Sequence, residues 1–552
     1  MKKRFASLTL LIMATVLLLQ GCWLPLMPEY IPSPTQEPPV FEEPPEIIGQ
    51  PPALTVPAHG QFTLRYEPEN SMNPIIALNR DNITLTSLLY ESLFILNEDL
   101  VAVPSLCSNW NTEDNITFTF EIWPNIAMHD GSMLTADDVA YSLRQARNRG
   151  RHTSKLRSIS SIDSDGELTV TIELASANAR FIRLLDIPII KYGTIESRNP
   201  PGTGPYIFPS PEAMRLTRFA HHREYSNMPL SVIYLRVCND SDLTDMFEQG
   251  RLSMLWDDPA GAFDIRLNIL ILHEPRYYNT TSLQYLGFNA NSPVVRNADV
   301  RRAIGCAVER QHIVENIMNV PRSGQTVAAP VAISPVFDMY DLEWERRDQD
   351  PLVEMAALIE RSGLADFDQD GFLEMSDGAG GFFKFTLDFI VNIENAHKLA
   401  AAENIAESLR QVGFDVNVHA LPWTNFTEAL NEGDFDIFYG ETQLGADFDL
   451  SPLLIPGDNS LNFGRTANTI YLPLIEGFLA AQTQEEVSEA GAILCAAIIQ
   501  NAPFIPILYK RHSIYTPMGL VSSVSPGRPI SPSQSGIFHN FQNWSIDLET
   551  IN

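Results

Sequence analysis

The sequence of 552 residues contains only five cysteines, and none of them belongs to a C-x-x-C pair or has a histidine at metal-ligand spacing. This scarcity argues against a structural zinc site. Four of the cysteines are scattered through the chain and are expected to be isolated buried thiols, although one disulfide would suit an extracellular protein. These four residues are Cys107, Cys238, Cys306 and Cys495.

Catalytic motifs and long apolar runs are also missing. The sequence has no G-x-S-x-G elbow, no H-E-x-x-H motif and no Walker loop. After the first two dozen residues, no stretch approaches the roughly 18 apolar positions that a membrane-spanning helix needs. We therefore expect a binding protein with no catalytic residues, no cofactor and no metal. The alternative is an enzyme, namely a lipid-anchored hydrolase.

Basic residues are few compared with acidic ones. There are 37 Lys and Arg against 68 Asp and Glu, which gives a formal net charge of −31. A surface this acidic repels phosphate backbones, so nucleic acid is excluded as a partner. The hydrophobic content of 45% and charged content of 19% are ordinary for a globular protein, and the acidity is interpreted as a contribution to solubility.

The N-terminus has the pattern of a lipoprotein export signal. Residues 2–4 are basic, and residues 8–19 form an apolar core of signal-peptide length. This core leads into Leu-Gln-Gly-Cys, where the small Gly21 precedes the Cys22 thiol as in a lipobox. We predict a signal peptide over 1–21 and lipidation of Cys22, because two acyl chains hold a protein stably on a membrane. The alternative is an ordinary signal peptide followed by a chance cysteine.

Residues 22–58 are rich in proline, with glutamates between the prolines. Such a segment cannot build a core and prefers an extended polyproline II conformation. We interpret it as a semi-rigid stalk between the membrane and the folded part. A proline-rich docking ligand is the alternative.

Strands and helices are predicted to alternate in the remaining chain. Apolar and polar residues alternate over 116–122 and 168–174, as in half-buried strands. Between them, Thr135 and Asp138 have the spacing of a capping box at the start of a helix. A helix is predicted near 400–411, and it is followed by a strand at 414–418 and a buried strand at 435–439. This order indicates an α/β fold.

Several short segments together carry a family resemblance. They include Tyr-Glu-Ser-Leu at 90–93, Pro-Gly-Thr-Gly-Pro-Tyr at 201–206, Val-Arg-Arg-Ala-Ile at 300–304 and Asp-Phe-Asp-Gln-Asp-Gly at 366–371. In this order, over about 85–510, the chain resembles the peptide/nickel class (family 5) of extracellular solute-binding proteins of ABC importers. The oligopeptide- and dipeptide-binding lipoproteins belong to that class.

The resemblance implies a two-lobed periplasmic-binding-protein-like fold (class II), with an extra domain inserted in the first lobe and ligand held between the lobes. It implies a monomer at the extracellular face of a bacterial membrane, or in a periplasm, that captures peptides and delivers them to an ABC permease. The alternatives are a binder of an oligosaccharide or a metal chelate, and a sensor of the same fold. The implied boundaries are lobe 1 over 59–285 with an inserted subdomain at about 85–199, lobe 2 over 286–504, a return to lobe 1 over 505–552, and crossings near 286–292 and 504–510.

The segment 435–449 resembles the family region that binds the ligand's α-ammonium, and Asp447 aligns with the acidic anchor. A buried ammonium must be paired, and one aspartate can pair with it; the alternative is a surface-loop aspartate. The usual tryptophan and Asp-Pro of the family are absent here. Glu441 is a candidate for recognising a basic side chain, or is exposed. Trp423 is a candidate for stacking on ligand, or packs in the core.

The acidic residues near 370 partly match a calcium loop. Asp366, Asp368, Asp370 and Gly371 have the spacing of its first half, and Asp377 stands where a calcium loop of the EF-hand type carries glutamate. We interpret the segment as a tight acidic turn without metal, with a calcium loop as the alternative.

Overall fold

A computed structural model describes residues 60–258, 269–319, 326–345, 350–376, 379–457, 460–466, 469–523, 530, 532–533 and 535–548. The predicted signal peptide at 1–21, Cys22, the remaining stalk up to residue 58, and Asp377 lie outside these residues.

The described elements alternate between strands and helices. The strands are β1 (Thr63–Arg65), β2 (Phe94–Leu96), β3 (Ala102–Pro104), β4 (Cys107–Asn111), β5 (Thr117–Ile122), β6 (Ile159–Ser164), β7 (Thr169–Leu174), β8 (Tyr206–Ile207), β9 (Arg215–Arg218), β10 (Val232–Arg236), β11 (Leu255–Asp257), β12 (His273–Phe288), β13 (Thr326–Ala328), β14 (Leu364–Ala365), β15 (Glu374–Ser376), β16 (Phe382–Lys384), β17 (Leu387–Asn392), β18 (Val416–Leu421), β19 (Ile437–Gln443), β20 (Phe504–Pro517), β21 (Val521–Ser523) and β22 (Trp544–Ile546).

The helices are α1 (Arg80–Thr86), α2 (Ala136–Asn148), α3 (Leu243–Glu248), α4 (Ala298–Cys306), α5 (Arg310–His312), α6 (Pro351–Ser362), α7 (Ala396–Gln411), α8 (Trp423–Glu432), α9 (Ser451–Leu454), α10 (Tyr471–Ala480) and α11 (Gln484–Asn501). Helix α5 continues as a π-helical turn over Ile313–Met318. Within the described part of the chain, each helix is too short or too polar to cross a membrane.

The first hydrophobic core lies around two four-stranded sheets, ordered β1-β10-β9-β8 and β4-β5-β7-β6. Strand β5 buries Phe118, Phe120 and Ile122 on one face, as the alternating pattern predicts. The predicted capping box is confirmed at the start of α2. There the Thr135 Oγ1 accepts from the Asp138 N–H at 3.4 Å, and the Asp138 carboxylate accepts from the Thr135 N–H at 2.9 Å. We call the body around this core the first lobe.

The second lobe is built around a seven-stranded mixed sheet with the order β11-β20-β12-β19-β17-β18, where β13 pairs with β20. Strand β17 runs parallel to both β18 and β19, whereas β12 runs antiparallel to β19 and β20. Helices α4, α7 and α11 cover this sheet and contribute to two adjoining hydrophobic cores. The predicted α/β class is confirmed.

Strands β12 and β20 belong to both lobes. Tyr278 and Ile514 lie in the first core, whereas Leu286 and Leu508 lie in the second. The two strands pair from end to end, and their register shifts between Asn279 and Leu283. Since such shifts bend and twist a ladder, the connection between the lobes is a bent two-stranded ribbon.

The scattered cysteines behave largely as expected. Cys107, Cys238 and Cys495 are buried free thiols, and Cys306 is half-buried. Burial raises the pKa of the Cys107 and Cys238 thiols to about 11 and that of Cys495 to about 12. These thiols are therefore protonated at neutral pH and pack as small apolar groups.

Gly204 gives a test of the packing of the 201–206 motif. Its N–H donates to the Leu89 carbonyl at 2.9 Å, and a Cβ added there would lie 2.4 Å from the Leu89 carbonyl carbon. We expect Gly204→Ala to lower the free energy of unfolding by about 1–3 kcal/mol, because backbone must move. Gly477→Ala, in α10, is the control: an added Cβ would have no atom within 4 Å apart from its chain neighbours and its own helix backbone, so the change should be neutral or raise stability by up to about 1 kcal/mol. Equal effects in denaturant titrations would contradict the close approach.

Candidate functional site

A buried lysine lies where β12 and β20 pass between the two cores. Lys510, on β20, is only 4% exposed. Its Nζ lies 2.7 Å from the Asp258 Oδ2 and 2.6 Å from the Glu441 Oε1. Asp258 directly follows β11, which pairs with β20 at the edge of the sheet. Glu441 lies on β19. One ammonium thus joins two carboxylates from distant parts of the chain.

The second oxygen of Glu441 is also paired. Its Oε2 lies 2.8 Å from the Lys398 Nζ of α7 and accepts from the Gln284 Nε2 at 3.0 Å. Gln284 in turn accepts from the Tyr439 hydroxyl at 2.9 Å. We call Asp258, Lys398, Glu441 and Lys510 the hinge charge cluster. Its alternating charges offset the high cost of burying ions.

The electrostatics of the hinge charge cluster favour the charged forms. Burial alone would raise the pKa of the Asp258 carboxyl, but Lys510 and His512 hold it well below its usual range. Burial opposes the charged form of Glu441 as well, yet Lys510 and Lys398 lower its pKa. The pKa of Lys510 is raised by its two carboxylates despite burial. Asp258, Glu441 and Lys510 are therefore ionised at neutral pH.

Asp447 lies in the loop between β19 and α9 and is 2% exposed. Its Oδ2 accepts a hydrogen bond from the Asn178 Nδ2 at 2.8 Å, and its Oδ1 accepts from the Asp449 N–H at 3.4 Å. Burial raises the pKa of Asp447, and the charge of Asp449 adds to this, while Asn178 and Arg180 partly oppose it. Asp447 is thus a buried carboxylate with one neutral side-chain donor.

Asp447 and Asn178 belong to different lobes. The neighbours Ala446 and Phe448 pack in a core of the second lobe, whereas Phe181 packs in that of the first. Beside them, the Arg180 guanidinium donates to the carbonyls of Phe478 at 2.7 Å and Ala481 at 3.1 Å. The arginine that faces Asp447 is therefore hydrogen-bonded to backbone oxygens, which leaves the carboxylate without a direct cationic partner among the described residues.

Two ion pairs flank this contact between the lobes. Arg183 donates to both oxygens of Asp338, each at 2.9 Å. On the other side, the Arg157 guanidinium contacts the Asp449 carboxylate and donates to the Ser451 hydroxyl at 2.8 Å. The segment 157–183 of the first lobe thus rests on the second lobe through polar contacts around Asp447.

The three residues predicted to contact ligand occupy different environments. Asp447 lies at the contact between the lobes, and Glu441 lies in the hinge charge cluster. Trp423 begins α8, is 57% exposed, and its ring packs against Phe426 with centroids 6.0 Å apart. The interpretations of Asp447 as a surface-loop residue, of Glu441 as exposed and of Trp423 as core are therefore wrong. The described contacts do not join Trp423 to either carboxylate.

The partners of these carboxylates were not predicted from the sequence. Lys510 could have been noticed as a lysine that ends the apolar run 504–509, because a buried charge needs partners. Asp258, Lys398 and Asn178 carry no comparable signal. Lys510 and Asp258 are 252 positions apart, and Asn178 and Asp447 are 269 apart, so only the folded chain reveals these pairs.

Two α/β lobes joined by a pair of crossing strands, with buried polar groups at their contact, define a two-lobed solute-binding fold. The profile of the bacterial extracellular solute-binding proteins, family 5 Middle, matches residues 101–460. The chain therefore belongs to this family of extracellular solute-binding proteins.

Known proteins resemble the chain at low identity. Over 457 residues it is 21% identical to heme-binding protein A of Haemophilus influenzae, a match that covers 74% of this chain and 79% of that protein. Over 390 residues it is 22% identical to the oligopeptide-binding protein AppA of Bacillus subtilis, covering 66% and 69% of the two chains. The structure of that AppA with a nonapeptide matches with a TM-score of 0.63 and 18% identity, covering 89% of this chain and all of that one. At this identity the likeness establishes the fold.

Removing Lys510 tests the hinge charge cluster. Because the pKa values of Asp258 and Glu441 are lowered on folding, their contribution to the free energy of unfolding is present above about pH 5 and is lost as pH falls below about 4. The raised pKa of Lys510 gives a contribution that is present up to about pH 10 and lost above it. Lys510→Met removes the ammonium that pairs with Asp258 and one of the two that pair with Glu441, so we expect the free energy of unfolding to fall by about 3–5 kcal/mol at pH 7.

The free energy of unfolding of Lys510→Met should also depend on pH in a characteristic way. Its deficit in the free energy of unfolding should shrink between pH 7 and pH 4, because the unpaired carboxylates take up protons. The control is Arg251→Met, which removes one positive charge from an exposed site. Urea titrations across this pH range measure both variants. A deficit that is constant with pH, or no larger than that of Arg251→Met, would contradict the cluster.

Proposed function

We propose that this chain is the capture component of an ABC importer and that its ligand is a peptide with a free α-ammonium. The observation that carries this proposal is Asp447, a buried carboxylate at the contact between the lobes whose side-chain hydrogen-bond donor is the neutral amide of Asn178. Support also comes from the family and from the relative named for binding oligopeptides.

In this proposal the ligand's ammonium replaces the Asn178 amide at Asp447. The ammonium brings the positive charge that a buried carboxylate requires, whereas the amide brings only a dipole. Two nitrogens of Arg180 donate to carbonyls, and its charge acts on Asp447 without a direct hydrogen bond to that carboxylate. Capture then involves an opening between 178–183 and 444–450, with β12 and β20 bending at the hinge, as in two-lobed proteins that close around ligands.

Glu441 and Trp423 have secondary roles in this proposal. Glu441 recognises a basic ligand side chain only if Lys398 or Lys510 moves away from it, because both of its oxygens are paired. Trp423 offers an exposed aromatic face at the start of α8, which suits stacking against a ligand portion that extends out of the cleft.

A second candidate ligand is a metal chelate such as haem. The relative named for binding heme favours it, since its match covers 74% of this chain. A chelate rich in carboxylates would need arginine or histidine in the site. Arg157, Arg180 and Arg183 are cations near Asp447, and each is already hydrogen-bonded to protein oxygens. The local charge therefore favours a cationic group as the ligand's anchor.

We place the protein outside the cytoplasmic membrane, held there as a monomer by a lipid on Cys22, with the permease of an ABC importer as its partner. The basic, apolar and Leu-Gln-Gly-Cys segments support the anchor, and the family supports the extracellular location. Residues 22–58 then span the distance between the membrane surface and the first lobe.

Asp447→Asn tests the anchor. The variant keeps the shape and removes the charge, so we expect affinity for peptides with a free N-terminus to fall about a hundredfold or more, as losing one partner of a buried charge pair implies. N-acetylated peptides should bind the wild type equally weakly, and the two losses should not add. Calorimetric titration measures both.

The controls separate binding from folding. Burial raises the pKa of Asp447, so its charge opposes folding at neutral pH and Asp447→Asn should be at least as stable as the wild type. Asp434→Asn makes the same change at an exposed position of the same lobe and should leave affinity unchanged. Undiminished binding of free peptides by Asp447→Asn, or normal binding of acetylated ones, would place the anchor elsewhere.

Cys22→Ser tests the lipid anchor. Without the thiol no diacylglyceryl group can be attached, so the protein should accumulate as precursor or appear in the soluble extracellular fraction. Metabolic labelling with a fatty acid and membrane fractionation measure this. A variant that is still acylated and firmly membrane-bound would refute lipidation at Cys22.

A further inference from the structure

The loop between β14 and β15 gathers acidic groups far from the hinge in sequence. Asp366, Asp368, Asp370 and Glu374 bring carboxylate oxygens within 4.8 Å of one another. Three of these residues are exposed, and the fourth, Glu374, is buried. Carboxylates this close repel one another unless a cation lies among them.

Glu374 supplies a second observation that points to a ligand. It is 0% exposed, and its Oε2 accepts from the Phe367 N–H at 2.7 Å. Its Oε1 is buried and has no hydrogen-bond partner among the described residues. The Oε1 lies 3.9 Å from the Lys384 Nζ, and that ammonium contacts Asp368 and Asp370, so the unmet acceptor is on the side of the acidic cluster. A buried carboxylate oxygen without a donor is costly, and a cation in the cluster would remove that cost.

Lys384 does not neutralise the negative charge of the loop. Its Nζ lies 2.8 Å from the Asp368 Oδ2 and contacts the Asp370 carboxylate, but it is 3.9 Å from the Glu374 Oε1. One ammonium against four carboxylates leaves three negative charges. The lysine side chain is 58% exposed and flexible, so it can swing into solvent and give its place to a stronger cation.

The order of donors along the chain matches a hard divalent cation. Asp366, Asp368 and Asp370 occupy positions 1, 3 and 5 of a calcium loop, and Glu374 occupies position 9. At position 6, Gly371 has φ +95°, where a side chain would be strained, and its N–H donates to the Asp366 Oδ2 at 3.0 Å. We propose that the loop 366–374 binds Ca²⁺, with these four carboxylates as ligands and Lys384 as a displaceable competitor.

A bound ion would fasten an outer hairpin to the second lobe. Leu364 and Leu373 at the two ends of the loop pack in the core of that lobe, and β15 and β16 form the hairpin that carries Glu374 and Lys384. Ca²⁺ would stabilise this region by mass action, by an amount that grows with the logarithm of the free Ca²⁺ concentration once that exceeds the dissociation constant. The site is separate from Asp447 and does not depend on the peptide proposal.

Calorimetric titration of CaCl₂ into the chelator-treated full chain tests the proposal. We expect one saturable site with a dissociation constant of roughly 10⁻⁵ to 10⁻³ M, and weaker binding of MgCl₂, which demands a tighter octahedral site. Glu374→Gln should weaken Ca²⁺ binding by about tenfold or more, because the number of ligand charges sets affinity. Glu403→Gln removes one exposed negative charge from α7 and should change nothing.

Lys384→Gln makes the test independent of any folding defect in Glu374→Gln. The residue is exposed, and removing the competing ammonium should tighten Ca²⁺ binding. The proposal is overturned if the wild type shows no saturable binding, if Glu374→Gln binds as tightly as Glu403→Gln, or if Lys384→Gln binds more weakly than the wild type.

Discussion

The ion pairs of Lys510 determine how the two lobes are joined. Its ammonium links Asp258, at the end of the strand beside β20, to Glu441 in the sheet of the second lobe. Both carboxylates need that charge, because the side chains of Asp258 and Glu441 are only 19% and 20% exposed and are largely shielded from water. The cluster therefore fixes the end of β11, β19 and β20 relative to one another at the place where the two lobes are joined.

Glu441 and Asp447 are carboxylates six positions apart, and their surroundings differ in the positive charge that they supply. Glu441 has an ammonium on each oxygen, which lowers its pKa, and its demand for positive charge is met. Asp447 has only an amide, and burial raises its pKa. A ligand that brings a cation gains more at Asp447 than at Glu441. This difference in surroundings is the reason why Asp447, and not Glu441, is proposed as the anchor for an ammonium.

Local features were predictable from the sequence, and long-range pairs were not. The alternation around β5 and β7 and the capping box at Thr135 depend on neighbours within a few positions. The family motif drew attention to Asp447 but gave no information on Asn178, which is 269 positions away. Strands β12 and β20 lack a clean alternation, because the C-terminal half of β12 and both ends of β20 are buried on both faces. Their length and pairing therefore emerge only from the folded structure.

The central claim is that the contact between the lobes holds a ligand through its ammonium. Native mass spectrometry tests it most directly, after the full chain is incubated with an equimolar mixture of short peptides, half of them N-acetylated, together with haem. The account predicts a one-to-one complex that contains only peptides with free N-termini and that dissociates on denaturation. Retention of acetylated peptides or haem in preference to them would contradict the account.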